Sequence, residues 1–436
     1  MRAFIVLFVI GISQAKTLNN FLRNDKYDCS YCQPEQIHIS FGDKTNDIVV
    51  TWSTFNDTLE SRVQYGKDIM DKEAIGTATE FIDGGDLKRT QWIHRVLLKD
   101  LKFNTKYVYH AGSDYGWSEL FTFKTPPAGE DWVVRAAIYG DMGNKNAHSM
   151  SYLQDEAERG RFDLILHVGD FAYDMDTDNA LVGDQFMRQI QPLAAMVPYM
   201  TCPGNHEEKY NFSNYANRFT MPGNESSLFY SFDIGPIHFV SISTEVYYFT
   251  EYGIKLIPNQ YYWLRDDLAK ANTEENRSKR PWIILFGHRP MYCSNSDDDD
   301  CVVEYTRVGL LGMFGLEPLL NEFGVDLVVW AHEHSYERTW PLYDNRVYNG
   351  SYEQPYVNPR APVHLITGSA GCQEETSPFK HDPAAWSAFR SVDYGYSRMT
   401  AYNKTHLYME QVDVQLKGQV IDAFWIVKEK HEAYGL

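Results

Sequence analysis

Positive charge is scarce in this chain. Lys and Arg number 40 against 59 Asp and Glu in 436 residues, a formal charge of −19 with histidine neutral. A nucleic-acid partner is excluded on that ground, because counterion release needs a basic face. The 14 histidines, if all protonated, would bring −19 to −5, so this surface suits an acidic compartment no worse than a neutral one. Long apolar runs are also missing. Ala3 to Ile12 is the nearest candidate and falls short of the roughly 20 residues a membrane helix requires, so no membrane span is expected. Cysteine is sparse, with six residues at Cys29, Cys32, Cys202, Cys293, Cys301 and Cys372 whose spacing has no zinc-ribbon pattern. There are no repeats, and the one low-complexity stretch is Asp297 to Asp300.

What is present begins with an address. Arg2, the apolar run to Ile12 and the small residues Ser13-Gln14-Ala15 read as a secretory signal peptide over residues 1–15. A mature chain starting at Lys16 would be secreted or lysosomal and would meet an oxidising environment. Six Asn-x-Ser/Thr triplets, at Asn56, Asn211, Asn224, Asn276, Asn349 and Asn403, are acceptors for N-glycans in that setting. The even cysteine count is compatible with disulfides, and Cys29-x-x-Cys32, in a polar stretch, reads as a structural bridge.

Two textures divide the mature chain. Residues 30–126 carry short strands separated by turns: Ile37-His38-Ile39, Ile48 to Trp52, Ser61 to Tyr65, His94 to Leu98, Tyr107 to His110 and Leu120 to Phe123. With one early tryptophan, this predicts an all-β sandwich like fibronectin type III. Pro126-Pro127 marks a linker. Over residues 132–436, apolar strand runs (Ala136 to Tyr139, Leu164 to Val168, Phe239 to Ile242, Trp282 to Phe286, Leu327 to Trp330) alternate with helical patterns at Ser149 to Arg159, Ala180 to Met196, Asn259 to Lys270 and Leu316 to Phe323. That alternation predicts a layered α/β domain. Strand-like segments at Arg398 to Tyr402, His406 to Val412 and Phe424 to Val427 are expected to complete a sheet rather than to form another domain.

Five short segments place polar donors directly after apolar strands: Gly140-Asp141-Met142-Gly143, Gly169-Asp170-Phe171-Ala172-Tyr173, Gly204-Asn205-His206-Glu207, Gly287-His288 and Ala331-His332-Glu333-His334. Loops at strand carboxyl ends are where open α/β sheets hold ligands. Aspartate, asparagine, histidine and tyrosine together suit iron, zinc or manganese. Any one of these segments is common as an ordinary turn; the ordered set is informative. His167 and His238 lie inside strand runs and read as core residues, while His94 and His110 belong to the sandwich.

The ordered set GD-x-G, GD-x-x-Y, GNH-E, x-x-H and x-H-x-H resembles the metallophosphoesterases, the calcineurin-like fold. Tyr173 and the preceding sandwich narrow the resemblance to the purple acid phosphatases of the larger, two-domain type. That resemblance implies an acid phosphatase acting on small phosphate monoesters or phosphorylated proteins. It implies ferric iron held by Asp141, Asp170, Tyr173 and His334, and a divalent ion (iron, zinc or manganese) held by Asp170, Asn205, His288 and His332, with Asp170 bridging. Ala331 departs from the glycine many relatives carry. The chemistry is coherent: Asp141, Asp170 and a phenolate are hard anionic donors suited to a trivalent ion, and the second set is mostly neutral. Two such ions roughly 3.5–4 Å apart generate hydroxide and brace an in-line displacement. The resemblance leaves His206 as a general acid for the leaving alcohol, the alternative being a histidine that only orients Asn205. Glu207 either holds His206 or merely sits in the loop. A phosphodiesterase or nucleotide pyrophosphatase on the same scaffold, and an extracellular binding protein with an inactive phosphatase half, are the alternative functions. The loop Cys293 to Cys301, acidic where plant relatives carry phosphate-contacting histidines, would repel polyanionic substrates if it overhangs the site.

Overall fold

The computed structural model describes residues 29–223, 226–295, 303–379 and 382–435. The signal-peptide segment, Asn224, and the acidic loop Asp297 to Asp300 with Cys301 lie outside the described residues. In chain order the N-terminal strands are β1 (Glu35–Phe41), β2 (Ile48–Thr54), β3 (Arg62–Gly66), β4 (Lys72–Ile75), β5 (Thr77–Ile82), β6 (Thr90–Leu98), β7 (Lys106–Ser113), β8 (Gly116–Trp117) and β9 (Phe121–Lys124). They form two antiparallel sheets, β1-β2-β6-β5 and β4-β3-β7-β8 with β9 on β7. The predicted sandwich is therefore present, with Trp52 buried and stacked on His94 at 4.8 Å. Strands β4 and β5 escaped the sequence reading because they are mostly exposed and polar, with no apolar alternation to reveal them.

The second part supplies β10 (Val134–Tyr139), β11 (Leu164–Val168), β12 (Tyr199–Cys202), β13 (Tyr230–Ile234), β14 (Ile237–Ser241), β15 (Trp282–Phe286), β16 (Gly309–Leu310), β17 (Met313–Phe314), β18 (Leu327–Trp330), β19 (Tyr336–Thr339), β20 (Leu342–Tyr343), β21 (Arg346–Val347), β22 (Val363–Thr367), β23 (Ser387–Ser391), β24 (Gly395–Ala401), β25 (His406–Asp413) and β26 (Gln419–Val427). One sheet runs β12-β11-β10-β24-β25-β26 and another β13-β14-β15-β18-β22-β19-β23. Strands β10 to β12 are parallel to one another, as are β14, β15, β18 and β22. The C-terminal strands extend the first sheet, as expected from the sequence, with β24 antiparallel to β10.

Period two decides what each buried strand faces. On β15, Trp282, Ile284 and Phe286 enter the core between the two sheets, while Ile283 and Leu285 join Leu264, Leu268, Leu319 and Leu320 of the covering helices Leu256–Ala271 and Glu317–Glu322. The helices Met150–Glu158 and Thr177–Ala194 send Leu153, Phe186 and Ile190 into the core cluster shared with the first sheet. Strands buried on both faces in this way read as unbroken apolar runs. β22 was missed in the sequence, because Pro359 and Pro362 precede it and His364 interrupts it.

The sandwich is built onto the second part rather than tethered to it. β1 is buried on both faces because it packs against the helix Thr177–Ala194 and β12. Arg218, itself buried, donates to Asp184 Oδ1 at 2.9 Å and to Gln36 Oε1 at 3.1 Å. Tyr109 Oη donates to Ala195 O, Ser40 Oγ to Thr220 O and Asn214 Nδ2 to Asp83 Oδ1.

His238 corrects the core assignment made from its strand position. It is part-buried, with Nδ1 2.7 Å from Asp233 Oδ1 and Nε2 2.9 Å from Asp267 Oδ2. Burial opposes its charge, but hydrogen bonds to Asp233 and Asp267 outweigh that and raise its pKa from 6.5 to about 9. A raised folded-state pKa stabilises fully below the unfolded value and is lost as pH climbs through the folded one. His238→Gln should therefore cost about 2 kcal/mol in acid. That gap to wild type should close between 6.5 and about 9 in chemical denaturation across pH. A gap independent of pH would assign the loss to packing alone.

Candidate metal centre

Five parallel strands deliver the candidate residues to one end of the two sheets. Asp141 follows β10, Asp170 and Tyr173 follow β11, and the 3-10 turn Asn205–Glu207 follows β12; His288 follows β15, and His332 and His334 follow β18. Close approach depends on two glycines. A Cβ at Gly204 would lie 2.1 Å from Asp170 Oδ1, and one at Gly169, whose φ is +84°, would lie 2.4 Å from His288 Nδ1. Asp141, Asp170, Tyr173 and His332 themselves take left-handed backbone, with φ of 59°, 52°, 58° and 70°. Such conformations are costly for residues with a Cβ and gather where a site dictates the geometry. Ala331, in place of glycine, sets its methyl against Gly140, where an added Cβ would come within 2.3 Å of it.

The donors fall into two groups. In the first, Tyr173 Oη lies 2.7 Å from His334 Nε2 and 3.4 Å from Asp141 Oδ1, and His334 Nε2 lies 3.5 Å from Asp141 Oδ1. In the second, His288 Nε2 lies 3.2 Å from Asp170 Oδ2, 3.0 Å from Asn205 Oδ1 and 3.2 Å from His332 Nδ1. Donor atoms of Asp170, His288 and His332 all lie within 4.8 Å of one another, a separation suited to one ion. Backbone carbonyls orient two rings: His288 Nδ1 donates to Val168 O and His334 Nδ1 to Glu375 O, turning each Nε2 toward the centre.

Electrostatics favour a cation here. Asp141 and Asp170 are buried side chains on adjacent strand ends. Burial pushes the Asp170 carboxyl up, but His288, His206 and His332 outweigh it and hold it well below the usual range. Burial works against the imidazolium of His288, yet Asp170 and Asp141 raise it to about 10. For Tyr173, burial first and then Asp141 and Asp170 push the phenol well above 10, a direction that a bound cation reverses. Two carboxylates, a phenol, an amide oxygen and three imidazoles converging in this way fit a pair of metal ions, with Asp141 and the phenol on one side and Asp170 among the imidazoles and the amide on the other.

His206 sits at the mouth, with its ring 4.5 Å from that of Tyr173. Its Nδ1 lies 2.9 Å from Asp174 Oδ1, and its Nε2 lies 3.9 Å from both Asp170 Oδ2 and Glu374 Oε1. Asp174, not Glu207, therefore orients His206. Glu207 turns inward and accepts the backbone N–H groups of Asp170, Phe171 and Gly204 at 2.9, 3.0 and 2.8 Å. Asp174 was missed although it adjoins Tyr173. Arg289 was missed beside His288; its Nη1 is 3.2 Å from His332 Nε2, its Nε donates to Glu245, and it covers the Tyr248 ring. Glu375 holds His334 through its backbone, a contact no side-chain pattern could signal. Of the cysteines, Cys29 and Cys32 are bridged and Cys293 is disulfide-bonded, whereas Cys202 and Cys372 are free and buried, Cys372 with its sulfur 3.4 Å from His334 Nδ1.

Two sheets with donors gathered at their strand ends define a calcineurin-like phosphoesterase, and the profile of that family matches residues 134–336. Profiles of the purple acid phosphatase N-terminal domain and of the iron/zinc purple acid phosphatase-like C-terminal part match residues 34–125 and 361–423. Acid phosphatase type 7 of Danio rerio is 54% identical over 92% of each chain, and that of Homo sapiens 51% over 91% of each. A solved purple acid phosphatase from yellow lupin seeds superposes with a TM-score of 0.76 at 26% identity, covering 91% of this chain and 74% of that one. The chain belongs to the purple acid phosphatase family.

Glu207→Gln tests the link between the two ligand loops. It places an amide N–H against backbone donors, so stability should fall by about 1–3 kcal/mol. Metal content after dialysis should fall with it, read by thermal unfolding and elemental analysis. Unchanged metal retention would confine Glu207 to a structural role.

Proposed function

We propose that this chain is an acid phosphatase that hydrolyses phosphate monoesters at a centre of ferric iron and a divalent ion, which is iron, zinc or manganese. Asp141, Asp170, Tyr173 and His334 hold the ferric ion; Asp170, Asn205, His288 and His332 hold the divalent one. The observation that carries this reading is the placement of Tyr173 Oη between His334 Nε2 and Asp141 Oδ1, apart from the neutral donors around His288. Bound there, the ions supply Lewis-acid polarisation of the phosphoryl group and an acidified water. His206, held through Nδ1 by Asp174, presents Nε2 on the Asp170 side and gives its proton to the leaving alcohol. The names of the relatives support the activity, and the presence of all seven ligand residues argues against an inactive binding protein.

The chain is read as a secreted or lysosomal glycoprotein. Residues 1–15 serve as signal peptide, 30–126 as sandwich domain and 132–436 as catalytic domain. Asn56, Asn211 and Asn403 are exposed, and Asn276 and Asn349 are partly so, which supports their use as glycan acceptors. Among the described residues no helix is long and apolar enough to cross a membrane.

Purified protein should be pink or purple from phenolate-to-iron charge transfer, and Tyr173→Phe should bleach that band. A fully active protein with stoichiometric iron and no visible band would overturn the ferric assignment. His206→Ala should keep both metals while slowing alkyl phosphates by roughly 10²–10⁴-fold. Aryl phosphates, whose leaving groups need less protonation, should slow less. Equal slowing of both ester types would remove His206 from proton transfer.

A further inference from the structure

An exposed aromatic cluster lies at the edge of the six-stranded sheet, away from the metal centre. Tyr402 and Trp425 are 46% and 43% exposed, with ring centroids 5.2 Å apart, and Tyr408 lies 4.7 Å from the same indole. Tyr408 pairs with Trp425 across β25 and β26, so the rings share one face of the sheet. Contiguous exposed apolar patches mark candidate contact surfaces. The turn joining β24 to β25 suggests an occupant. It carries the glycan-acceptor triplet Asn403-Lys404-Thr405 directly after Tyr402. Asn403 Oδ1 accepts from Thr405 N at 2.8 Å, Thr405 Oγ1 at 2.9 Å and His406 N at 2.9 Å. Asn403 is exposed, and its backbone carbonyl accepts the Trp282 indole N–H, so the turn is fixed from below.

We propose that Asn403 carries an N-glycan whose first sugar rings lie on the Tyr402–Tyr408–Trp425 face. Pyranose rings present an axial C–H surface that packs on the electron-rich face of an aromatic ring while their hydroxyls stay in water. The sugar covers apolar area that the sheet edge would otherwise expose. This rests on the secretory reading above, because only a chain entering that route meets the glycosylation machinery. The other acceptor triplets serve as internal controls for that reading.

The test uses the full chain secreted from eukaryotic cells, with glycopeptide mass spectrometry at every acceptor and acrylamide quenching of tryptophan fluorescence. Enzymatic removal of the glycan with peptide N-glycosidase leaves aspartate at 403, which keeps the Oδ1 acceptor and hence the turn. Asn403 should be occupied, and quenching should increase on deglycosylation of wild type. That increase should vanish in Trp425→Phe, which keeps a ring at the site and isolates one indole among the ten in the chain. Occupancy elsewhere with Asn403 empty overturns the proposal while leaving secretion intact. No occupancy anywhere overturns both. An occupied Asn403 whose removal leaves Trp425 quenching unchanged places the glycan off the aromatic face and also overturns it.

Discussion

Burying like charges side by side is the constraint on which this structure turns. Asp141 and Asp170 end adjacent parallel strands, both out of water, and Glu207 is a third buried carboxylate beside them. Three such groups in one interior would repel strongly at low dielectric. The fold answers each differently. Glu207 accepts three backbone N–H donors and so becomes a knot between two loops, while burial and the neighbouring Asp170 push its pKa up to about 8. Asp141 and Asp170 are left facing imidazoles, His334 for the first and His288 for the second. The positive φ angles at Asp141, Asp170, Tyr173 and His332 are the backbone's side of the same arrangement. They point side chains at a common centre that regular turns would miss.

The sandwich contributes to that centre from behind. The helix Thr177–Ala194 leaves the loop bearing Asp170, Tyr173 and Asp174; the helix Lys209–Arg218 leaves the turn bearing Asn205, His206 and Glu207. Asp184 on the first and Arg218 on the second are ion-paired in a buried position, and Gln36 and Asp83 of the sandwich engage Arg218 and Asn214. Removing one partner of a buried pair leaves an uncompensated charge, so this junction is intolerant of change. The N-terminal domain is thus part of the rigidity of the His206 loop.

Much of this was legible in the sequence. Apolar strand runs and glycine-led turns pointed to the sandwich, the α/β part, the C-terminal extension of the sheet and the seven donors that converge. What escaped had no local signature. β4 and β5 are polar edge strands, and β22 is masked by prolines. The partnership of His206 with Asp174 instead of Glu207 depends on which way a buried carboxylate turns, and that is set by backbone donors contributed from β11. His238 shows the converse: a strand position suggested core, but two aspartates, one on a covering helix, made it an ion-paired link.

The pairing of β10 with β24 has a consequence for the chain's biogenesis. β10, whose carboxyl end bears Asp141, sits in mid-sheet between β11 and a strand drawn from more than 250 residues further along. Such long-range closure folds slowly and late. A ribosome delivering this chain vectorially would hold β10 with one edge unpaired until β24 emerged. Lys428, which is buried against Asp326 at the start of β18, comes later still. Closure of this part of the sheet thus waits on the last stretch of polypeptide, and a chain ending before β24 would keep an open edge on β10.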